Sequence, residues 1–334
     1  MGSVTQPQTG YAECMSRPDA TFDEFAIDVL AGLTSKPKVL SSRWFYDDKG
    51  SELFAKIMDT EAYYPTRVEW QILRDRGPQL LALPFREVDV VDLGAGDGRK
   101  SETIMHALQR AGVSVRYVPI DISGGALSVL AERMRRSVPG VEIHPIEADF
   151  MAGLRILRAQ SERPRLALFL GSNIGNFTGA GARAFLRRIW GELAHNDRML
   201  IGFDLKKDVA TLLRAYNDPE GYTAEFNLNL LDRINRELDG DFDRRAFMHY
   251  GTYNAVTGAM ESYLLSTRAQ QVQIGALKLK VSFEPFEPIR TECSCKYLPS
   301  EALALGRDAG FVEERSATDE LGWFLSSLWR VDKA

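Results

Sequence analysis

The pattern of hydrophobic and polar residues changes twice along the chain. From about residue 71 to 206, short apolar runs alternate with segments that have helical periodicity. Apolar runs without alternation are typical of strands that are buried on both faces of a parallel sheet. The predicted strands are residues 88–93, 113–120, 141–148, 166–170 and 199–204. This part is therefore predicted to be a doubly wound α/β sheet of the Rossmann-like type.

Two helical segments precede the predicted sheet. Residues 21–35 are predicted to form a helix, because Thr21 and Glu24 have the spacing of a capping box and apolar residues recur at helical intervals. A shorter helix is predicted over residues 51–58. The aromatic loops on either side of it are unusual for a plain dinucleotide-binding sheet, which indicates a second part of the fold.

The pattern after the sheet is typical of an α+β unit. It begins with an amphipathic helix over residues 224–238. The further elements predicted are strands 247–253, 259–267 and 270–284, a helix over 300–310 that Gly310 ends, and strands 311–316 and 323–330. The last two strands are expected to be an antiparallel pair that closes the central sheet.

The length of 334 residues favours two lobes over a single core. We expect the substrate-binding lobe to comprise residues 18–70 and 207–296. The sheet domain then comprises residues 71–206 and 297–334, and the polar N-terminus, residues 1–17, is expected to be disordered.

Composition narrows the partners and the location of the protein. A net charge of −5 gives no basic surface for nucleic acid. The chain has no apolar run of membrane-spanning length and no pattern of a secretory signal, so we expect a cytoplasmic protein with no membrane partner. Three cysteines give no disulfide framework, and four scattered histidines lack ligand spacing, so no metal is predicted.

A glycine-rich turn is the first candidate for a ligand site. Gly94, Gly96 and Gly98 directly follow the strand at residues 88–93. Glycines allow a main chain to approach a bulky ligand closely. The turn lacks the third glycine of the dinucleotide fingerprint and the Lys-Ser/Thr pair of a triphosphate loop. An adenosine ligand without a phosphate chain therefore fits this turn better.

Polar or aromatic residues follow the next predicted strands. Asp121 ends one strand, Asp149 and Phe150 follow the next, and the polar segment 171–177 follows the strand at 166–170. A single Asp in such a place is often only a helix cap. Because ligands of open α/β sheets bind at the carboxyl ends of the strands, all four together predict a site. Asp121 is placed to accept the ribose hydroxyls, Asp149 an adenine amino group, and Phe150 can pack on the ring.

The segment 291–297 carries an unusual polar face. In a strand, Glu292, Ser294 and Lys296 point to one side, and the cysteines between them point to the other. The polar side is either solvated or lines a pocket with a carboxylate and a hydroxyl.

Together these residues resemble the S-adenosylmethionine-dependent amino-acid betaine methyltransferases, typified by the histidine Nα-methyltransferases that form hercynine in ergothioneine biosynthesis. The resemblance spans about residues 20–332 and implies a Rossmann-like class I methyltransferase sheet with a second, α+β substrate-binding domain. The segments that carry it are residues 44–47, 63–67, 92–96, 171–176, 226–229, 235–238 and 292–296.

The resemblance also implies S-adenosyl-L-methionine as the cofactor. The family's cofactor positions correspond here to Gly94, Lys100, Asp121, Asp149 and Phe150. Four of these five positions are the ones that the strand ends and the glycine turn already indicate.

For the substrate, the resemblance implies an amino acid held by its head group. Tyr63, Asn176 and Tyr216 correspond to the residues that hold the head group, and Tyr46 lines the amine side. Tyr46, Tyr63 and Asn176 are the expected catalytic residues, because they orient the amine. Tyrosine hydroxyls can donate to a carboxylate, and an amide carbonyl can accept from an amine.

The imidazole ring is assigned to the strand at 291–297, where Glu292 accepts from a ring N–H and Ser294 serves the other nitrogen. Ser262 stands where the best-known members have a methionine. A smaller, polar residue there leaves another aromatic amino acid, such as tryptophan, as an alternative substrate. A buried carboxylate facing a bare hydrocarbon ring would lack a partner, so Glu292 favours imidazole.

The predicted reaction is three transfers of a methyl group to the α-amine of histidine. Three other classes stay open from the residues alone: a nicotinamide oxidoreductase, a module that senses the adenosyl cofactor, and a protein or RNA methyltransferase. The missing fingerprint glycine disfavours the first, and the charge balance disfavours the last. A monomer acting on a small molecule is expected.

Overall fold

The computed structural model describes residues 18–333, with side chains from residue 22 onward, so the expected disorder at 1–17 lies outside the described residues. The helices are α1 (Pro18–Thr34), α2 (Asp48–Asp59), α3 (Tyr64–Leu80), α4 (Arg99–Arg110), α5 (Gly124–Ser137), α6 (Phe150–Gln160), α7 (Gly179–Glu192), α8 (Val209–Tyr216), α9 (Tyr222–Leu238) and α10 (Pro299–Ala309). The strands are β1 (Lys38–Val39), β2 (Glu87–Leu93), β3 (Ser114–Asp121), β4 (Glu142–Ile143), β5 (Ile146–Glu147), β6 (Arg165–Phe169), β7 (Arg198–Asp204), β8 (Phe247–Asn254), β9 (Ala259–Ser266), β10 (Gln270–Ile274), β11 (Leu279–Phe283), β12 (Pro288–Cys295), β13 (Phe311–Thr318) and β14 (Phe324–Val331).

The larger sheet has eight strands in the order β13-β14-β7-β6-β2-β3-β4, with β5 also paired to β3. The pairs that link β7, β6, β2, β3, β4 and β5 are parallel, whereas β14 runs antiparallel to β7 and β13 antiparallel to β14. From β2 the chain moves first to β3 on one side and later to β6 on the other. Ligands of such sheets bind in the crevice where the strand order reverses. The predicted α/β sheet and its antiparallel closure are confirmed.

Helices cover both faces of this sheet. Val91 of β2 is fully buried in the layer that contains Leu154 of α6, and its neighbour Val90 is fully buried in the opposite layer with Ile104 of α4. Adjacent strand residues point to opposite faces, so an unbroken apolar run supplies both layers. Each such side chain stabilises the fold by about 1.5–3 kcal/mol.

The smaller sheet has four strands in the order β1-β12-β9-β8. Strands β8, β9 and β12 are antiparallel, and the short β1 adds to β12 in parallel. The apolar stripe of α9 and the helix α1 share one core with this sheet, in which Phe25, Ile234 and Leu264 are buried. The amphipathic helix predicted over 224–238 is thus confirmed, and it begins two residues earlier.

Three predicted elements differ in the structure. Helix α1 begins at Pro18 and not after Thr21, so Thr21 is inside the first turn and is not the cap. Proline suits the first position of a helix, because its φ is already helical and its missing N–H has no partner there. The single strand predicted over 141–148 is two short strands, β4 and β5, separated at Pro145, which has no N–H to donate to a ladder.

The third difference is the strand predicted over residues 270–284. The structure has a hairpin of β10 and β11 there, paired from Gln270–Phe283 to Ile274–Leu279. A short 3-10 helix and Lys278, with a φ of +49°, reverse the chain. A left-handed lysine carries no signal in the sequence, because most residues avoid that region.

The helix at residues 299–309 ends at Gly310, whose φ is +98°, as predicted. The division into two domains stays a prediction. The strands of the smaller sheet fall within the two segments assigned to the substrate-binding lobe. Helix α3, however, crosses the expected boundary between residues 70 and 71 and packs against α4 and β14 of the larger sheet.

Candidate active site

The glycine turn leads from β2 into α4. Gly94, Gly96 and Gly98 have φ values of +86°, +56° and +74°, which residues with a Cβ rarely adopt. Gly98 is the residue before the first turn of α4. The turn therefore brings main chain and a helix N-terminus together at the carboxyl edge of the sheet, where a ligand can approach closely.

Asp121 ends β3 beside this turn. Its neighbour Ile120 is paired in register with Leu93, so the two strands end together. The Asp121 Oδ1 atom accepts a hydrogen bond of 2.9 Å from the main-chain N–H of Ser123, and its Oδ2 atom accepts none from the described residues. A carboxylate oxygen is thus available at the predicted place.

Asp149 has the role of a helix cap as well as that of a candidate ligand residue. Its Oδ1 atom accepts hydrogen bonds from the main-chain N–H groups of Met151 and Ala152, at 2.9 and 3.0 Å. Its Oδ2 atom accepts no hydrogen bond within the described chain, and the side chain is exposed. Capping α6 therefore leaves one oxygen of Asp149 free for an adenine amino group.

Phe150 lies against the glycine turn. The tip of its ring is 3.6 Å from the point that a Cβ on Gly94 would occupy. Phe169 contacts the ring edge-to-face, at 6.4 Å between centroids, and fixes its orientation. The structure therefore brings Gly94 and Phe150 together, as their assignment to one cofactor site requires.

Lys100 lies in the first turn of α4, where an ion pair holds it. Its Nζ atom is 2.5 Å from Oε2 of the fully buried Glu69, and the same oxygen accepts a hydrogen bond of 2.8 Å from the N–H of Gly171. Glu69 thus connects the turn after β2 to the loop after β6. Glu69 was not among the predicted site residues, since a glutamate within a helix has no distinctive pattern.

Aromatic rings surround Tyr46 on the other side of the site. Its ring contacts Phe54 and Phe226 edge-to-face, with centroids 5.4 and 5.6 Å apart, and Phe54 in turn contacts Tyr63 at 6.0 Å. Half of the Tyr46 surface is exposed, so the side chain packs on these rings and stays accessible to a ligand.

The charge of Glu292 reaches three tyrosines. Burial is the main cause that raises the pKa values of Tyr46, Tyr63 and Tyr216 well above their usual range, and Glu292 raises each of them further. Tyr216 and Tyr46 also act on Tyr63. These four predicted site residues are therefore close together. The three phenols stay protonated at neutral pH and can act as hydrogen-bond donors.

Glu292 is paired across the sheet with Ser262. The Ser262 hydroxyl, which is fully buried, donates a hydrogen bond of 3.1 Å to Oε2 of Glu292. Burial raises the pKa of Glu292, while Lys296 and the Ser262 hydrogen bond act in the opposite direction. Ser262, which stands where the best-known family members have a methionine, thus orients Glu292, the carboxylate assigned to the imidazole.

Lys296 connects several side chains on the polar face predicted for residues 291–297. Its Nζ atom lies 2.8 Å from the hydroxyl oxygens of Tyr216 and Ser294, and 2.8 Å from Oδ2 of Asp204. The side chain is 1% exposed. Ser294 and Lys296 on this face are buried and Glu292 is half-buried, so the predicted polar face lines a largely buried cluster.

A second lysine lies on the far side of Asp204. Lys207 pairs with Asp204 and donates a 2.7 Å hydrogen bond to the Tyr64 hydroxyl, which itself donates to Asp204 at 2.7 Å. Burial lowers the pKa of Lys207 to about 8, although Asp204 opposes this. Asp204 was not among the predicted site residues. Its position at the end of β7, like that of Asp121 at the end of β3, was the available signal.

Asn176 ends a short 3-10 helix, Asn173–Asn176, after β6. Its side chain is exposed and forms no hydrogen bond with the described residues. The preceding Gly175 faces β12, since a Cβ on it would lie 3.3 Å from Ser294 Oγ and 2.8 Å from the Cys295 carbonyl oxygen. The loop therefore places Asn176 beside β12, which carries Ser294. The side-chain amide of Asn176 has no hydrogen-bond partner among the described residues.

Two asparagines of α9 anchor the segments that carry site residues. The Thr291 hydroxyl donates a 2.6 Å hydrogen bond to the buried Asn227, next to Glu292. Asn229 donates a 2.8 Å hydrogen bond to Asp47, next to Tyr46. The two asparagines therefore fix the main-chain neighbours of Glu292 and Tyr46 to α9.

Replacing Asp47 by Ala is expected to lower the free energy of unfolding by about 1–2 kcal/mol, because Asp47 caps α2 and bonds to Asn229 and Arg236. Burial alone would raise the pKa of Asp47, but hydrogen bonds from the Gly50 N–H, Arg236 and Asn229 hold this pKa below its usual range. Its contribution is thus present above the unfolded-state pKa of about 3.9 and is lost as the pH falls through the lower folded-state value. Urea unfolding at pH 7 and pH 3 checks both points. An equal loss for Asp48→Ala, which alters an exposed neighbour, would contradict the role assigned to the cap.

Within residues 18–333 no group of three or more His, Cys, Asp or Glu side chains could hold a metal ion. No helix in the described part of the chain is long and apolar enough to cross a membrane.

The chain thus has a parallel sheet closed by an antiparallel pair, and one carboxylate oxygen stays available after each of β3 and β5, at the edge where ligands of open α/β sheets bind. Residues 25–331 match the family model described as "Histidine-specific methyltransferase, SAM-dependent", and the chain belongs to this family. It is accordingly an S-adenosyl-L-methionine-dependent methyltransferase.

Three relatives are similar over most of this chain. The histidine N-alpha-methyltransferase of Mycobacterium tuberculosis is 42% identical over 90% of this chain and 93% of its own length. The histidine N-alpha-methyltransferase of Mycolicibacterium smegmatis is 39% identical over 93% of this chain and 96% of its own length. Ergothioneine biosynthesis protein 1 of Neurospora crassa is 32% identical over 88% of this chain, which corresponds to 34% of that longer protein.

Proposed function

We propose that this enzyme transfers three methyl groups to the α-amine of L-histidine and forms the betaine hercynine, the first step of ergothioneine biosynthesis. The observation that carries the proposal is Glu292, a half-buried carboxylate oriented by Ser262 and grouped with Tyr46, Tyr63 and Tyr216. The names of the mycobacterial and fungal relatives support the same substrate and pathway.

The described residues fit the family's cofactor. The free Oδ2 atoms of Asp121 and Asp149 would accept from the ribose hydroxyls and the adenine amino group, and Phe150 would pack on the adenine ring. Lys100 would complete the site from α4. When bound, S-adenosyl-L-methionine supplies a methyl group on a sulfonium, which is already electrophilic. The chain therefore needs no nucleophilic residue of its own.

The polar groups of the pocket suit an amino-acid head group. Tyr63 and Tyr216, held protonated by burial, donate to the substrate carboxylate. The free amide of Asn176 accepts from the α-amine through its Oδ1 atom, and Tyr46 and Tyr63 flank the nitrogen. The amine must be neutral, because its lone pair forms the new N–C bond while the C–S electrons stay on sulfur. Positioning of this kind supplies several kcal/mol of the barrier.

Aromatic faces allow methylation to continue. On the amine side, Phe54 contacts both Tyr46 and Tyr63 edge-to-face. After the first and the second transfer the nitrogen must lose a proton to solvent before its lone pair can attack again, and only the third transfer makes it a permanent cation. Aromatic faces attract that trimethylammonium cation by up to about 2 kcal/mol in a desolvated site, so they accommodate the fully methylated product.

The alternative substrate, tryptophan, matches the pocket less well. An indole N–H could donate to Glu292, but an indole has no acceptor nitrogen for Ser294. A serine at position 262 does not remove the selectivity for imidazole, because the Ser262 hydroxyl is hydrogen-bonded to Glu292. A site built around a hydrogen bond rejects ligands that cannot form it.

We also propose that the enzyme acts as a monomer in the cytoplasm, on a free amino acid and not on a protein or nucleic acid. The net charge of −5 supports the exclusion of nucleic acid. Cys293 and Cys295 are free thiols, which suits a reducing compartment.

Calorimetry with each of the twenty amino acids, in the presence of S-adenosylhomocysteine, tests this function. We expect histidine to bind at least tenfold more tightly than any other amino acid, because one charged hydrogen bond contributes about 1.5–3 kcal/mol. Incubation with S-adenosyl-L-methionine should then yield products with one, two and three added methyl groups. Tighter binding of tryptophan, or no transfer to histidine, would refute the proposal.

A further inference from the structure

Lys296 uses all of its hydrogen-bond donors inside the protein. An ammonium has three hydrogens, and the Nζ atom of Lys296 has three partners at 2.8 Å: the hydroxyls of Tyr216 and Ser294 and the carboxylate of Asp204. Its side chain is 1% exposed. The lysine therefore has no hydrogen left for a substrate and acts on the pocket only through these three residues.

These bonds set the direction of two hydroxyl groups. Since an ammonium can only donate, the oxygens of Tyr216 and Ser294 must accept from Lys296. Each hydroxyl then keeps its own hydrogen for another acceptor. Tyr216 therefore presents a donor to the pocket, which suits a carboxylate.

The same logic applies to the ring of histidine. A neutral imidazole has one N–H donor and one acceptor nitrogen, which match Glu292 as the acceptor and Ser294 as the donor. An imidazolium has two N–H donors. Its second N–H would have to share the Ser294 oxygen with the ammonium of Lys296 and would place two positive groups around one atom.

We propose that Lys296 is a positioning residue that fixes Tyr216 and Ser294 as hydrogen-bond donors, so that the pocket binds histidine with a neutral imidazole ring. The inference rests on the proposed function, because it assigns the ring to Glu292 and Ser294. It adds the protonation state of the substrate's side chain and the residue that selects it.

Several titratable groups lie within and around the cluster of Lys296, Tyr216, Ser294 and Asp204. They are Glu292 and Cys295 on β12, Asp204 on β7, Lys207 after β7, Tyr46 after the 3-10 helix at 42–45, Tyr63 and Tyr64 at the start of α3, Tyr216 on α8 and His249 on β8. A pH profile of histidine binding alone would include their titration. A reference ligand whose ring does not titrate removes that contribution.

The first test uses the unaltered enzyme. Histidine with ¹⁵N in its ring is bound together with S-adenosylhomocysteine at pH 6, where free histidine is mostly protonated. We expect the ¹⁵N spectrum of the complex to show a neutral ring with one protonated nitrogen. A doubly protonated ring would overturn the inference and leave the proposed function intact. Absence of histidine binding would instead refute the proposed function.

The second test compares histidine with triazolylalanine, whose ring stays neutral in the same pH range. For the unaltered enzyme, the ratio of the two affinities should change about tenfold in favour of histidine between pH 5.5 and 7.5, as the ring loses its proton. In Lys296→Met, Ser294 is free to accept, so the ratio should change less than threefold.

Lys207→Met is the matched control. Lys207 is also buried and also pairs with Asp204, but it bonds neither Tyr216 nor Ser294. We expect Lys207→Met to lose as much stability as Lys296→Met. The ratio of the histidine and triazolylalanine affinities should still change about tenfold with pH in this control. Equal flattening in both lysine variants, or a tenfold change in Lys296→Met, would overturn the inference. If Lys296→Met does not fold, the ¹⁵N measurement on the unaltered enzyme still tests whether the bound imidazole ring is neutral.

Discussion

Replacing Glu292 by Ala is expected to weaken histidine binding about 10- to 150-fold, with the affinity for S-adenosylhomocysteine unchanged. The carboxylate accepts the imidazole N–H in this account, and a charged hydrogen bond of this kind contributes about 1.5–3 kcal/mol. The variant also leaves the Ser262 hydroxyl without its acceptor and removes a negative charge near Lys296. Calorimetry with histidine and with the cofactor product measures both affinities.

Glu261→Ala is the matched control for this experiment. Glu261 is a buried carboxylate on β9, one residue from Ser262, and it pairs across the sheet with Cys293. It therefore points to the opposite face, where Tyr263 and Asn254 donate to it. Histidine binding should survive this change within about threefold. An undiminished affinity in Glu292→Ala, or an equal loss in both variants, would show that the assignment of the strand is wrong.

Replacing Asp121 by Ala is expected to weaken binding of S-adenosylhomocysteine by about 10- to 150-fold. The free oxygen of Asp121 at the end of β3 is assigned to the ribose, and its loss removes at least one charged hydrogen bond. Transfer of methyl groups should fall in proportion when the cofactor is below saturation. Titration of the cofactor product into the two proteins provides the measurement.

Glu142→Ala provides the comparison for Asp121. Glu142 is an exposed carboxylate that lies on β4, beside β3 but far from its carboxyl end, since it pairs with Arg116. We expect its replacement to leave the affinity for the cofactor product unchanged. Retained cofactor binding in Asp121→Ala would place the ribose elsewhere and refute this part of the site.

The sequence predicted the parts of the site that follow from strand order. Fully apolar runs predict parallel strands, and parallel strands end at one edge, so Asp121, Asp149 and the glycine turn could be placed together without coordinates. The alternation of residues 292, 294 and 296 likewise placed their side chains on one face. In each case, the prediction follows from a geometric rule about neighbouring residues.

The network around Asp204 could not be predicted in this way. Tyr64, Asp204 and Lys296 are far apart in the chain, and their contact depends on how the two sheets pack against each other. No local period encodes that packing. The hairpin of β10 and β11 escaped prediction for a related reason, because a left-handed Lys278 has no signature in composition or spacing.

The resemblance to a family supplied three site residues that the pattern of the sequence alone did not indicate. Tyr46, Tyr63 and Tyr216 come from three separate segments, and only the structure shows that one charge, that of Glu292, acts on all three. Conversely, Ser262 was identified as a departure from the family, and the structure gives it a specific partner. Its effect on specificity is therefore exerted through Glu292.

The most direct measurement is a crystal structure of the enzyme with S-adenosylhomocysteine and histidine both bound. We expect the cofactor product on the turn at Gly94 with its ribose at Asp121, and the histidine head group within hydrogen-bonding distance of Tyr63 and Asn176. The ring should contact Glu292 and Ser294. Histidine bound away from Tyr63 and Asn176, or a glycine turn without the cofactor product, would contradict the account.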